Sequence, residues 1–402
     1  MTDRGPAAVV IAATLDTKAE AVAVLREELL RRGASVLVVD CGVREPERTF
    51  PGVERSLVAA RGGGLAPGAD RAAALAVMTA GLAGCVRDLL AEGRVAGFVA
   101  VGGGTGASLS AGAFQELPYG LPKMLISTGV TGDVEPVVGV KDVMLVQPVV
   151  DLIGDTELLD RTLRAAGAAM AAIVALPPPP ARGTGPRVAI TAFGVTSAAA
   201  EHAALLLARR GCRPAVFHAR GSGGRAMEEL IGAGAFDAVL DLTTTEVADE
   251  VVGGLRSAGP NRLEAAVAAG LPLVVVPGAV DVVNFGPPDT VPHALRGRAQ
   301  VRHTPFSTLV RSSADDNREI AAWMAGKLAG ASQAVVLVPQ GGFSDLDRPD
   351  GPFHDQAADA AFADEITARL AGRVEVRLVP AHINEPAFAQ AACQALLERT
   401  SA

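Results

Sequence analysis

The sequence predicts an α/β protein of two tandem Rossmann-like domains with mainly parallel sheets, related by internal duplication. Three observations carry the prediction. Apolar runs suited to strands buried on both faces alternate with helix-patterned segments. A proline- and glycine-rich stretch interrupts the chain near its middle, and the residues on its two sides begin again on one plan. At 402 residues the chain also exceeds the roughly 100–200 residues of an ordinary domain, so two cores are expected.

The first strand is expected at Ala7–Ala13, followed by Thr14–Lys18, a helix ending at Arg31–Gly33 and a second strand at Ser35–Asp40. Thr17 and Glu20 have capping-box spacing, and Gly33 stands where a left-handed residue closes a helix. The apolar run Gly97–Val101 leads into the glycine-rich Gly102–Gly106, and Gly120–Pro122 precedes a strand at Lys123–Thr128. Residues 177–186, rich in proline and glycine, cannot sustain a helix or a ladder and form the expected linker between domains 1–176 and 187–402. Beyond it the plan repeats: a strand at Arg187–Ala192, the loop Phe193–Thr196, a helix ending at Arg209–Gly211 and a strand at Arg213–His218. Gly270–Pro272 before a strand at Leu273–Pro277 then matches Gly120–Pro122.

Composition narrows the function. A net charge of −8, with one Trp and one Tyr, provides neither the basic surface nor the stacking aromatics of a nucleic-acid binder. Cys41, Cys85, Cys212 and Cys393 are widely spaced, which suits a reducing compartment and neither a disulfide framework nor a zinc site. Asp3, Arg4, Asp16 and Lys18 break the start of the chain, so no signal peptide is expected. The apolar stretch Ala165–Leu176 has 12 residues, against about 20 for a membrane span. A cytoplasmic protein without a membrane segment is the expectation.

In parallel sheets the loops after the strands gather on one edge, where ligands bind. Bare amides at Gly102–Gly106, entering a helix, are suited to an anion. They fit G-x-G-x-x-A at Gly102, Gly104 and Ala107, without the acidic residue some 20 positions on that a dinucleotide fold wants, so a mononucleotide suits the loop better. Thr14, Asp16, Thr17 and Lys18 place hydroxyls, a carboxylate and an ammonium at a helix start. Ser127–Asp133 has similar character, with Asp133 suited to magnesium or ribose. No GxxxxGK[ST] sequence occurs, so any ATP site is not a P-loop.

In the second half His218 and Arg220 stand before Gly221, Ser222, Gly223 and Gly224, again with G-x-G-x-x-A spacing. Arg220 can fork onto a carboxylate or phosphate, and His218 titrates in the range of acid–base work. Thr244, Asp281 and Asn284 are expected with them on the substrate, and His303 and His382 as further acid–base or metal-binding candidates. Arg311, Asn317, Ser344 and Asp347 are also collected at loops on this edge. The histidines lack the short spacing of a recognisable metal motif, so the metal stays unassigned.

The segments Thr14–Lys18, Gly102–Gly106, Pro122–Thr128, Phe217–Glu228, Pro277–Pro287 and His382–Ala389, in that order, resemble an uncharacterised family. It is the family of the ATP-binding region of the tomato mosaic virus resistance protein. The resemblance runs from about Val9 to Ala392. It implies two Rossmann-like domains, homodimers, and ATP in the amino-terminal domain on Thr14, Asp16, Thr17, Lys18, Gly103, Gly104, Thr105, Gly106, Thr128 and Gly129. The chain departs from the family pattern within Gly102–Ser108 and Ser127–Asp133. The plant member carries a further barrel domain resembling phosphoenolpyruvate-utilising lyases, so a separate barrel-domain partner protein is implied here.

The leading expectation is an ATP-binding enzyme, with Mg2+, acting on a small carboxylate or phosphate-bearing metabolite in a cleft between the domains. Two others stay open: an ATP-independent lyase or hydrolase built on the second-domain histidines, and a nucleotide-responsive protein-binding module.

Overall fold

The structure is a computed structural model that describes residues 6–66, 68–132, 134–154, 156–177 and 183–400. Its internal contacts divide the chain into two units, 1–179 and 180–402. Asp133 and residues 178–182 of the expected linker lie outside the described residues.

The first unit runs β1 (Ala8–Ala13), α1 (Ala19–Arg31), β2 (Val36–Asp40), β3 (Gly52–Val53), α2 (Arg55–Arg61), α3 (Arg71–Ala91), β4 (Val95–Val101), α4 (Gly104–Glu116), β5 (Lys123–Ile126), α5 (Glu135–Val138), β6 (Met144–Val146) and α6 (Glu157–Val174). Its sheet has the order β3-β2-β1-β4-β5-β6 and every pairing is parallel. Successive residues of a strand point to opposite faces, which explains why central strands are apolar throughout. Val10, Ala12, Phe98 and Ala100 pack with Met78, Leu82 and Phe114 of α3 and α4. Val9, Ile11, Val99 and Val101 pack with Val22, Leu25, Leu163 and Met170 of α1 and α6 on the other face.

The second unit runs β7 (Arg187–Ala192), α7 (Ser197–Arg209), β8 (Arg213–His218), α8 (Ser222–Gly232), β9 (Ala238–Asp241), α9 (Thr245–Val252), α10 (Glu264–Ala268) and β10 (Leu273–Val275). It continues with β11 (Val282–Phe285), β12 (Gln300–Thr304), β13 (Ser307–Arg311), α11 (Ala314–Leu328), β14 (Ala334–Pro339), α12 (Gln356–Leu370), β15 (Glu375–Val379) and α13 (Pro386–Thr400). Its main sheet is parallel in the order β15-β14-β10-β9-β7-β8. Setting aside the edge strands β3 and β15, the two units share one strand order, β2-β1-β4-β5-β6 against β8-β7-β9-β10-β14. The repeat read in the sequence is therefore a repeat of topology.

Some local expectations change. Gly33 and Gly211 are left-handed, both at φ +83°, as helix closure there requires. The capping box at Thr17 does not form: α1 begins at Ala19 with Lys18 at its cap position and no side-chain cap. The reason is local, since the Thr17 hydroxyl is engaged with Thr14 Oγ1 at 3.1 Å. The parallel architecture also carries an addition, the antiparallel sheet β11-β13-β12 between β10 and β14. Among the described residues, α3, with 21 residues, is the one helix long and apolar enough to cross a membrane by length and composition. Here it buries Met78, Leu82, Val86 and Leu89 in the core against the first sheet.

Candidate functional site

In the first unit the strand order reverses between β1 and β4, and in such sheets the crevice at the strands' carboxyl ends is where ligands settle. The loops after these two strands line a cavity of about 420 Å³ there. Asp40 ties the neighbouring loop into place, its Oδ1 accepting the amides of Leu15 at 3.1 Å and Gly42 at 2.9 Å. Burial raises its pKa, against the lowering by these two amides.

The cavity brings together Thr14, Asp16, Thr17, Lys18, Gly103, Gly104, Thr105, Gly106 and Thr128. Gly129 is not among its lining residues; its amide donates to Ser127 Oγ at 3.1 Å. Neither α1 nor α4 has a side-chain cap, so the first amides of both helices are free to meet an anion. The glycines of the loop have separate reasons. A Cβ on Gly102 would stand 2.6 Å from Gly106 Cα, so the tight turn needs glycine there. A Cβ on Gly104 would meet nothing within 4 Å, although glycine in a helix costs about 1 kcal/mol relative to alanine. The protein's own packing therefore does not require Gly104.

Charge around the cavity is mixed, with an excess of cations. Lys18, 11% exposed, lies 3.9 Å from Asp151 Oδ1, and Asp16 Oδ2 accepts the amide and Nε of Arg44 at 3.2 and 3.4 Å. Arg71, the first residue of α3, has no protein partner among the described residues. Val43, Leu75, Leu109 and Ile153 supply an apolar wall. The sequence reading missed Arg44, Arg71 and Asp151. Arg71 carried a faint signal, since Asp70 caps α3 by accepting the Ala73 amide at 2.8 Å.

The second glycine loop is built differently. Glu246 Oε1 accepts the amides of Gly221 at 2.6 Å and Gly224 at 3.0 Å, so the loop holds an internal carboxylate. A Cβ on Gly224 would lie 2.0 Å from Glu246 Oε2, and one on Gly223 1.8 Å from the His218 carbonyl oxygen. Gly221, Ser222, Gly223 and Gly224 are thus absent from the nearby cavity. Beneath the loop Arg262, 1% exposed, meets Glu246 Oε2 at 2.9 Å, Asp241 Oδ1 at 2.8 Å and Glu228 Oε1 at 3.2 Å. Burial raises the pKa of Glu246 and of Glu228, while the Arg262 charge opposes the rise.

A second cavity, of about 260 Å³, lies at the carboxyl end of β7 and β8, walled by the antiparallel sheet. It gathers His218, Arg220, His303 and Asn284 with Phe193, Arg256, Phe306 and Ser307. The His218 ring stacks on Phe193 with centroids 5.6 Å apart. Its Nδ1 lies 3.2 Å from the Ala192 carbonyl oxygen, which can only accept, so Nδ1 carries a proton in this contact.

His382, Thr244 and Asp281 do not join this cavity. His382 is buried, with Nε2 on the Ser344 carbonyl at 2.9 Å and Nδ1 accepting the Asn384 amide at 3.1 Å; burial lowers its pKa. Thr244 donates to the Val276 carbonyl at 3.0 Å. Asp281 accepts from the Ser344 hydroxyl at 2.6 Å, in a buried group with Arg311, Asp347 and Asp359 where desolvation raises all three carboxylates. Among the described residues no three His, Cys, Asp or Glu side chains are grouped to hold a metal ion.

Comparison with known proteins matches both units of the chain to one family. Residues 7–178 match the N-terminal domain, and residues 185–400 the C-terminal domain, of an uncharacterised protein family, UPF0261. A UPF0261 protein of Clostridium tetani is 37% identical over 395 residues, covering 97% of this chain and 98% of that protein. One from Rhizobium meliloti is 38% identical over 395 residues, covering 96% and 97%. The ToMV resistance protein Tm-1(GCR237) of Solanum lycopersicum is 38% identical over 336 residues, covering 82% of this chain and 45% of that protein.

Proposed function

The chain belongs to the uncharacterised protein family UPF0261, and from that premise and the first cavity we propose that its first unit binds the polyphosphate of ATP. One observation carries the reading. At the strand-order reversal two uncapped helix starts meet in one cavity with Lys18 and the unpaired Arg71. Amides at helix starts and such cations are the donors that phosphate oxygens need. The open space in front of Gly104 lets phosphate approach the backbone. Val43, Leu75 and Leu109 offer an apolar face to the nucleoside.

Magnesium fits the same wall. Asp151 is 63% exposed at its side chain, and its Oδ2 has no protein partner among the described residues, whereas Asp16 is held by Arg44. Asp151 would hold the ion, which neutralises phosphate charge when bound. Lys18 and Arg71 would orient the phosphate oxygens, and α4 would present its amides to them.

The reaction class that suits this site is phosphoryl transfer to, or ATP-driven activation of, a small carboxylate or phosphate-bearing metabolite. The test is ADP or phosphate release on adding a panel of small acids to the protein with ATP and magnesium. Release that depends on one acid supports the enzyme reading, and ATP binding without turnover across the panel counts against it. A second reading draws on His218 and His303 sharing one cavity: acid–base chemistry without nucleotide. Turnover in the absence of ATP would select it.

A further inference from the structure

The second cavity has an unusual balance of charge. Arg220 and Arg256 both line it, and neither guanidinium forms an ion pair or a hydrogen bond with protein among the described residues, while the Arg256 backbone amide donates to Asp249 Oδ2 at 2.7 Å. They are near enough that the charge of Arg220, after desolvation, helps lower the pKa of Arg256, with the buried Asp249 acting the other way. No carboxylate lines the cavity, which also holds the imidazoles of His218 and His303. Arg262 and Arg187 of the same unit are, by contrast, matched with carboxylates, Arg262 with Asp241 and Glu246 and Arg187 with Asp237. Two guanidinium groups brought together with no carboxylate bonded to either of them form a receptor for a doubly charged anion.

The rest of the lining limits what that anion is. Phe193 and Leu309 make an apolar floor, and Phe306, at the turn joining β12 and β13, is 79% exposed. An exposed aromatic beside a charged cavity is surface that a ligand's carbon skeleton can cover. Ser307 and Asn284 add neutral polar groups. The volume of about 260 Å³ is small beside the 300–1,000 Å³ typical of drug-sized ligands, so the ligand is a small metabolite and not a nucleotide.

We propose that this cavity is a second ligand site, separate from the nucleotide cavity, and that it takes a small organic dianion whose charge lies on Arg220 and Arg256 and whose apolar body lies against Phe193 and Phe306. A phosphate monoester and a short dicarboxylate share this chemistry. The inference deepens the reading above by naming the class of acid, yet its binding step stands without nucleotide.

The experiment is calorimetric titration of the full chain, without ATP, using phenyl phosphate, succinate, inorganic phosphate and acetate as probes. At least one of the two organic dianions is expected to saturate at least about tenfold more tightly than acetate. Whichever of phenyl phosphate and succinate binds more tightly identifies the anion source, and inorganic phosphate, lacking a body for the aromatic walls, binds more weakly than phenyl phosphate. Arg220→Gln and Arg256→Gln each weaken that binding by about tenfold or more, with unchanged thermal midpoints showing that the unit is folded. No organic dianion binding more tightly than acetate, or binding equally strong in both arginine variants, overturns the proposal. Neither outcome touches ATP binding by the first unit, which is measured separately.

Discussion

Glu246 Oε1 accepts the amide of Gly221 at 2.6 Å, and this contact separates two glycine loops that look alike in sequence. In the second unit a carboxylate from α9 already takes the place that an anionic ligand would need. The loop after β4 has no such occupant. The two loops therefore respond differently to the same substitution. Gly224→Ala drives a methyl into Glu246 and is expected to cost about 1–3 kcal/mol of stability, read from the urea midpoint. Gly104→Ala meets open space, is expected to leave stability unchanged or raise it by up to about 1 kcal/mol, and weakens ATP by about tenfold.

Arg262 compensates Asp241, Glu246 and Glu228 in a buried setting. Replacing it by methionine keeps much of the volume but leaves the carboxylates facing one another. Arg262→Met is expected to destabilise the second unit by about 3–5 kcal/mol. Denaturation monitored through Trp323 of α11 checks this, and a loss under about 1 kcal/mol would show that the cluster is not energetically coupled.

Asp249 gives a pH dependence with a definite sign. Burial pushes its pKa from 3.8 up to about 7, despite amides donated by Asn284 and Arg256. Between these values the folded state holds more protons than the unfolded one, so this group's contribution to stability falls as pH rises from about 4 to about 7. Asp249→Asn removes that dependence. Stability measured against pH should differ between wild type and variant by a slope approaching about 1.4 kcal/mol per pH unit within the window. Parallel curves would mean that Asp249 is ionised throughout.

Arg44 at the first cavity is 71% exposed at its side chain, and exposed charges are screened within about 10 Å at 0.1 M salt. ATP affinity is expected to fall as sodium chloride rises from 0.05 to roughly 0.5 M. An affinity independent of salt would place the nucleotide's contacts on apolar surface instead.

Much of the fold was legible because buried parallel strands are apolar on both faces. Val9, Val10 and Ile11 announce β1, and Gly33 and Gly211 mark helix ends that only a left-handed residue can close. The antiparallel sheet was not legible. β12 is largely exposed, so Gln300–Thr304 carries no apolar signal. Within the sites, Thr14–Lys18 and Gly103–Gly106 stood out because both follow apolar strands and open helices. Arg71 and Arg256 sit away from strand ends in sequence, and only folding brings them to a cavity. The second glycine loop misled for the complementary reason, because Glu246, 25 residues beyond Gly221, fills it. His382 misled likewise, its ring being taken up by the Ser344 carbonyl and the Asn384 amide.

The most direct measurement is a parallel titration of ATP, tripolyphosphate and adenosine against wild type and a Lys18→Ala, Arg71→Ala variant. ATP and tripolyphosphate are expected to bind wild type, adenosine to bind more than about tenfold more weakly than ATP, and the variant to lose both phosphate ligands. Adenosine binding as tightly as ATP, or ATP binding that survives both substitutions, would contradict polyphosphate binding by the first unit.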